Sequence, residues 1–267
     1  MVATDLSDTS QLAEAFRGSD AVAHCAGINR EIGSQTYRCV HIQGTENVVA
    51  AARKAGVKKT VLISFLQARP HCGSPYHESK WAAEEIVRES GMDYTILKSG
   101  MVFGRGDHML DHLSHSFFTI PFLPTVGLRQ KLIRPVPIED LVDILRAAIV
   151  DKRLSRQTIA ITGAEELYLS EAARRVAAVL NRRIVLIPSP VWFHALLTRI
   201  FELTMKVPLV ARAQVRILAE GVTEAAPTCD VPPPDLLPKR RFSPELIREG
   251  LPEPGPFSLR DLRSCTE

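Results

Sequence analysis

A tyrosine and a lysine four positions apart, Tyr76 and Lys80, are the residues of this sequence whose types and spacing best suit chemistry. Their surroundings predict a helix, because Pro75 suits the first helical turn and Ser74 suits the N-cap. Side chains four apart on a helix share a face. A phenol titrates near pKa ~10, and a nearby ammonium favours the phenolate. The spacing therefore predicts a tyrosine with a lowered pKa that exchanges a proton with a hydroxyl or carbonyl group.

The spacing by itself has low specificity, because Tyr94 and Lys98 repeat it. The residues around that second pair alternate as a strand does, and four residues along a strand span roughly 13 Å. Tyr94 and Lys98 are therefore not expected to meet. Without further context, Tyr76 and Lys80 also fit an ordinary exposed pair on a helix.

Composition narrows the function classes. The chain has 267 residues, with 33 basic and 30 acidic side chains and a net charge of +3. This balance gives no argument for binding nucleic acid or an anionic membrane. The start of the chain lacks the basic and apolar regions of a signal peptide. Five cysteines without a paired spacing indicate reduced thiols and a cytoplasmic protein: Cys25, Cys39, Cys72, Cys229 and Cys265.

The elements that must position Tyr76 and Lys80 follow from the alternation of short apolar runs with helical segments. Apolar runs that end near Gly27, Ser64 and Ser99 have the length and composition of buried strands. Strands that alternate with helices predict an α/β fold with a parallel sheet. Ligands bind such sheets beyond the carboxyl ends of the strands. We therefore expect Gly27, Ser64 and the Ser99–Gly100 pair to lie at one ligand-binding edge.

Several sequence blocks, taken together and in order, resemble the extended and atypical short-chain dehydrogenase/reductases. The similarity is to the NAD(P)-dependent epimerase/dehydratase-like and NmrA-like branches, including relatives of a respiratory complex I accessory subunit. It covers roughly residues 4–187, and single blocks are weak while their order is specific. The blocks lie at residues 5–8, 18–27, 43–49, 61–64, 75–80, 94–104 and 134–141.

The resemblance implies an NAD(P)-dependent oxidoreductase or epimerase-like enzyme that acts on a small molecule. It implies a Rossmann-like doubly wound parallel sheet over residues 1–187, with substrate-side insertions from about residue 104. Residues 188–267 then form a small α-rich lid and a proline-rich tail. Tyr76 is expected to be the general acid/base, Lys80 its partner, and Ser64 a group that polarises the substrate oxygen. The residues expected to contact NAD or NADP are Ala26, Gly27, Ser64, Tyr76, Lys80, Lys98, Ser99, Gly100, Met101 and Val102.

The chain also departs from the family pattern. The strand and glycine-rich turn that open the family's fold have no counterpart, so we expect the coding sequence to extend upstream of Met1. We also expect the 267-residue chain to bind a dinucleotide weakly, and the strand ending near Gly27 to have an unpaired edge. Leu66 stands where the family has a serine or threonine, and His41 stands where it has an asparagine. These changes favour a rival function, a non-catalytic NAD(P)H-binding or assembly protein.

Two further segments invite a functional interpretation. His108, Asp111, His112 and His115 have helical spacing, but without a cysteine they fit a polar cleft wall better than a metal site, and we predict no metal. The apolar helices over residues 190–222 are interrupted by charged side chains and fall short of a membrane span. We expect them to form a lid or to bind a protein partner.

Overall fold

A computed structural model of the protein describes residues 4–205, 211–253 and 255–257. The chain divides into two compact units. The first consists of Met1–Gly100, Asp140–Ile161 and Glu224–Leu237. The second consists of Met101–Glu139, Thr162–Thr223 and Pro238–Glu267. The domain boundary predicted at residue 187 falls inside the second unit.

Strands and helices alternate along the chain. The strands are β1 (Ala21–His24), β2 (Lys59–Phe65), β3 (Asp93–Ser99), β4 (Val102–Phe103), β5 (Phe122–Val126), β6 (Leu132–Ile133), β7 (Val136–Pro137), β8 (Gln157–Ile161), β9 (Leu167–Tyr168) and β10 (Val185–Ser189). The α-helices are α1 (Thr9–Phe16), α2 (Gly44–Lys54), α3 (Pro75–Glu89), α4 (His108–Thr119), α5 (Ile138–Ile149), α6 (Leu169–Val179), α7 (Val191–Thr204), α8 (Arg212–Glu220) and α9 (Pro244–Gly250).

The first unit is built on a parallel sheet with the strand order β1-β2-β3-β8. Its register places Ser64 opposite Lys98 and Phe65 opposite Ser99, so the carboxyl ends of β2 and β3 meet at one edge. Helices α1, α2 and α3 pack a shared apolar core against this sheet. The parallel sheet confirms the predicted α/β, Rossmann-like architecture. In the described residues β1 pairs on one side only, with β2.

A π-helix at Arg38–Gln43 leads directly into α2. The sequence predicts a helix only from Thr45, so this extension was missed. Six residues with π geometry are unusual, because π-helical turns are rare in proteins. Where such turns occur, they are frequently at functional sites. The π-helix places His41, which is 1% exposed, inside the first unit.

The second unit has its own apolar core, which lies mainly between α4, α6 and α9. Phe103 and Phe242 meet edge-to-face within it, with ring centroids 4.7 Å apart. Three two-stranded sheets surround this core: β5 with β10, β4 with β7, and β6 with β9. The α-rich region was predicted for residues 188–267 only, and β5 at Phe122–Val126, which precedes it, was not predicted. Among the described residues, no helix has the length and apolarity needed to cross a membrane.

Candidate active site

Helix α3 carries the tyrosine and the lysine, as the sequence predicts. Ser74 holds the N-cap position with extended backbone angles, and Pro75 opens the helix. The Ser74 hydroxyl, however, contacts Nδ1 of His77 at 2.6 Å and caps no helical N–H group. Because α3 is regular from Pro75 to Glu89, Tyr76 and Lys80 lie one turn apart on one face of the helix.

Lys80 lies beside the loop that follows β1. Its Nζ atom donates to the backbone carbonyl of Ile63, at a distance of 3.3 Å. A Cβ atom on Gly27 would lie 2.8 Å from the same Nζ, so only glycine lets the loop pass this close to the ammonium. Burial lowers the pKa of Lys80 to about 8, against the opposing effects of Glu84 and Cys25. Lys80 therefore still carries a positive charge at neutral pH.

Tyr76 lies among four other rings. Its ring centroid is 5.5 Å from that of Phe65, 5.6 Å from that of His77, and 5.8 Å from those of Tyr37 and His41. Burial raises the pKa of Tyr76, and the neighbouring Tyr37 raises it further. The predicted lowering of this pKa is therefore wrong for the protein without ligand. Burial disfavours the phenolate, and the Lys80 ammonium is directed towards a backbone carbonyl.

His41 joins the loop after β1 to helix α3. Its Nε2 atom accepts the backbone N–H of Ile28 at 3.0 Å, and its Nδ1 atom lies 2.8 Å from the Ser79 hydroxyl. The Ser79 hydroxyl donates in turn to the backbone carbonyl of Tyr76 at 2.9 Å. The sequence singles out His41 only as a replacement for the family's asparagine, and no sequence signal indicates this bridge.

Ser64 and Lys98 belong to a different group of side chains, centred on Glu84. The Ser64 hydroxyl donates to Oε1 of Glu84 at 2.5 Å. Lys98 Nζ lies 3.3 Å from that carboxylate and donates to the carbonyl of Ala68 at 2.7 Å. Arg88 completes the group, 2.8 Å from Oε2 of Glu84. Glu84 was missed by the sequence analysis, although it lies one turn after Lys80 on the same predicted helix.

The other residues expected to contact the cofactor lie at strand ends. Ala26 is half-buried in the loop after β1. The carbonyl of Ser99 accepts the N–H of Leu66 at 2.8 Å, and the N–H of Gly100 donates to Ile161 at 2.9 Å. The last two, Met101 and Val102, belong to the second unit. The structure thus groups Gly27, Tyr76 and Lys80, and it groups Ser64 with Lys98.

Lys80 and Gly27 lie side by side at the carboxyl end of β2, where an oxygen-rich ligand could be held. The loop at Gly27 passes close beside the ammonium, and an ammonium carries three N–H donors for oxygen atoms. Tyr76 adds a phenol on the same face of α3. Across the part of the chain that the structure describes, no group of three or more His, Cys, Asp or Glu side chains could hold a metal ion.

Comparison with known proteins bears on the fold and the cofactor class. A family model described as NAD(P)H-binding matches residues 1–108. The chain is similar to the mouse protein NADH dehydrogenase (ubiquinone) 1 alpha subcomplex subunit 9, mitochondrial. The two are 24% identical over 229 residues, which cover 85% of this chain and 60% of the mouse protein. An uncharacterised Mycobacterium tuberculosis protein is 26% identical over 209 residues, 78% of this chain but only 22% of that relative. The chain thus spans less than two thirds of the length of these relatives.

Two solved structures show the same fold. A nucleoside-diphosphate-sugar epimerase from Staphylococcus aureus matches with a TM-score of 0.64 and 17% identity, over 96% of this chain and 80% of the epimerase. A dTDP-4-dehydrorhamnose reductase from Bacillus anthracis, in complex with NADP, matches with a TM-score of 0.62 and 16% identity, over 92% and 85%. These matches confirm the predicted fold, and with the family model they confirm the predicted resemblance and the NAD(P)H cofactor class.

Proposed function

We propose that the protein is an NAD(P)-dependent enzyme of the reductase or epimerase type, with Tyr76 as general acid/base and Lys80 as the residue that holds the nicotinamide ribose. The observation that carries this proposal is the position of Lys80. Helix α3 directs the Lys80 ammonium to the carboxyl end of β2, against the Gly27 loop. Tyr76 lies one helical turn from Lys80. Ligands of parallel sheets bind at this edge.

A bound dinucleotide supplies the hydride donor or acceptor. The chain's own part is to manage the proton. Because burial raises the pKa of Tyr76, its phenol is protonated at neutral pH and is ready to donate to a carbonyl oxygen of the substrate. The charged Lys80 lies one turn away and stabilises the phenolate that the donation leaves behind. In the opposite direction, that phenolate takes a proton from a substrate hydroxyl group.

Nucleotide sugars are the substrate class that we propose to test first. Support comes from the names of the two structural neighbours, an epimerase of nucleoside-diphosphate sugars and a reductase of a dTDP-linked sugar. Reduction of a sugar carbonyl needs a group that donates a proton to the carbonyl oxygen, which is the role proposed for Tyr76.

A second function, NAD(P)H binding without catalysis, is favoured by two observations in the same unit. Leu66, which stands in the family's serine or threonine position, is fully buried and offers no hydroxyl group. The Ser64 hydroxyl already donates to Glu84. The similarity to a subunit of NADH dehydrogenase points the same way. In this function the fold is kept for binding or assembly.

One experiment separates the two functions. The purified chain is titrated with NADPH and NADH up to millimolar concentration by fluorescence, because the sequence predicts weak binding. It is then assayed for reduction or epimerisation of a panel of UDP- and dTDP-sugars. For an enzyme, we expect Tyr76→Phe to keep cofactor affinity and to lose roughly 10²–10⁴-fold in turnover. Lys80→Met is expected to lose both.

Tyr94→Phe is the matched control, because it also removes a phenol four residues before a lysine, but on strand β3. Turnover should stay within a few-fold of the unmodified protein. Cofactor binding that needs Lys80, with no turnover on any sugar, would support the non-catalytic function. If Tyr76→Phe retains full turnover, the catalytic assignment is wrong.

A further inference from the structure

We propose that His41 is a positioning residue, a neutral imidazole with one fixed tautomer that holds the Ile28 end of the Gly27 loop against helix α3. This proposal rests on the proposed function, since the loop and the helix are the parts that bring Gly27, Lys80 and Tyr76 to one place. It concerns a residue that makes no proton transfer itself.

The hydrogen bonds determine which nitrogen of His41 carries the proton. A backbone N–H can only donate, so Nε2 of His41, 3.0 Å from Ile28 N, must accept and therefore has no proton. The proton of a neutral ring then lies on Nδ1, which donates to the Ser79 hydroxyl at 2.8 Å. That hydroxyl gives its own proton to the Tyr76 carbonyl at 2.9 Å. The three bonds form one directed chain from the loop to the first turn of α3.

The backbone around His41 is arranged to present this ring. His41 lies in the π-helix Arg38–Gln43, and π turns often mark functional sites. The Thr45 hydroxyl donates to the His41 carbonyl at 2.5 Å, and the Tyr37 ring stacks on the imidazole with centroids 5.5 Å apart. Tyr37 also donates to the carbonyl of Asn29 in the same loop, at 2.9 Å. Both rings therefore tie the π-helix to the loop after β1.

The charges that face His41 keep it neutral. Burial, the Lys80 ammonium and His24 together lower the pKa of His41 to about 3, against the opposing effect of the hydrogen bond with Ile28. A protonated ring would also have to turn an N–H group towards the N–H of Ile28. His41 therefore cannot serve as the proton donor of the site, and its contribution is geometric.

Loss of the bridge should weaken cofactor binding more than it slows the proton transfer. A hydrogen bond typically changes an equilibrium constant by roughly 2- to 10-fold. His41→Ala loses both bridging hydrogen bonds and should therefore weaken NADPH binding by about 4- to 100-fold. The Michaelis constant for the cofactor should rise by a similar factor, while the turnover number changes less, since Tyr76 is unaltered.

Two conservative variants divide the bridge into its halves. The amide of His41→Asn reaches the position of Nδ1 and can still donate to Ser79. The longer His41→Gln reaches the position of Nε2 and can still accept from Ile28. Each should lie between the unmodified protein and His41→Ala in NADPH affinity. A buried histidine of the second unit, His194, bonds the carbonyl of Thr125 at 3.1 Å, and His194→Gln is the control that should leave NADPH affinity unchanged.

Nitrogen NMR chemical shifts of the histidine rings report the protonation state and tautomer of His41 without any cofactor. The proposal predicts that His41 stays neutral, with its proton on Nδ1, between about pH 5 and about pH 8. A proton on Nε2, or a charged ring at neutral pH, overturns it. If Lys80→Met loses NADPH affinity while the folded His41→Gln and His41→Asn both keep it, the positioning role is wrong and the proposed function stands. If Lys80→Met also keeps its affinity, the proposed function itself fails.

Discussion

Replacement of Lys98 by methionine is expected to destabilise the fold of the first unit and to leave cofactor affinity unchanged. Lys98 is 1% exposed and lies 3.3 Å from the Glu84 carboxylate, which is fully buried. Its Nζ atom also donates to the carbonyl of Ala68. Burial lowers the pKa of Lys98, and Glu84 opposes that effect. The lysine is thus held as the counter-ion of Glu84.

The size of the effect follows from what the substitution leaves behind. Without Lys98, the Glu84 carboxylate keeps Ser64 and Arg88 as partners but loses a buried positive charge. Removal of one member of a buried ion pair typically costs about 3–5 kcal/mol, and the retained Arg88 places the expected value near the lower end, about 3 kcal/mol. For a chain of this size, that corresponds to a fall of roughly 6–12 °C in the unfolding midpoint.

Urea unfolding followed by circular dichroism measures the change in the free energy of unfolding. Arg88→Met is the comparison, because the side chain of Arg88 is 24% exposed and its loss should cost less than the loss of Lys98, which is 1% exposed. The double variant Lys98→Met/Glu84→Gln should lose less unfolding free energy than the sum of the two single variants, since it removes both charges of the pair. A Lys98→Met protein with unchanged stability and weakened NADPH binding would refute this argument and support the cofactor role predicted from the sequence.

Three further outcomes follow from the same structure. Gly27→Ala should fold with a loss of at most about 1 kcal/mol, because the new Cβ meets only the flexible end of Lys80, but NADPH titration should show affinity as weak as that of Lys80→Met. Gly163→Ala should cost about 3 kcal/mol in urea unfolding, because its Cβ would lie 1.8 Å from the Pro135 carbonyl oxygen, whereas Gly255→Ala meets nothing within 4 Å and should be neutral. The pKa of Lys80 falls from 10.5 to about 8 on folding, so the unfolded chain binds more protons between these values, and stability should rise as pH increases from about 8 to about 10.5. Lys80→Met should reduce that rise, and the part that remains is expected from Lys98 and Lys59, whose pKa values are also lowered by burial.

Local patterns in the sequence were sufficient to predict the elements that carry the site. Proline at a first helical turn and a serine suited to the N-cap predicted α3, which the structure gives as Pro75–Glu89. Alternation over residues 93–98 predicted a strand at Tyr94 and Lys98, and β3 confirms it. These features are set by residues close together in the chain, so they can be read without the tertiary structure.

The contacts that define the site could not be predicted in this way. The partner of Ser64 is Glu84, 20 residues away, and the partner of His41 is Ser79, 38 residues away. Such pairs depend on how α3 packs on the sheet and on the π-helix, which has no sequence signature that we recognised. The spacing of Tyr76 and Lys80 likewise fixes which face they share, but not where the ammonium points.

The directions of the two pKa shifts explain how such a pair can still do chemistry. Burial raises the pKa of Tyr76 and lowers that of Lys80, so it moves both groups towards their uncharged forms. The lysine keeps its charge at neutral pH because its pKa is still about 8. The tyrosine keeps its proton because its pKa is raised. Without ligand, the site therefore presents one positive charge and one donatable proton near the Gly27 loop. In the proposed function, a substrate oxygen interacts with both groups, and the buried ammonium stabilises the negative charge that develops on that oxygen or on the phenol.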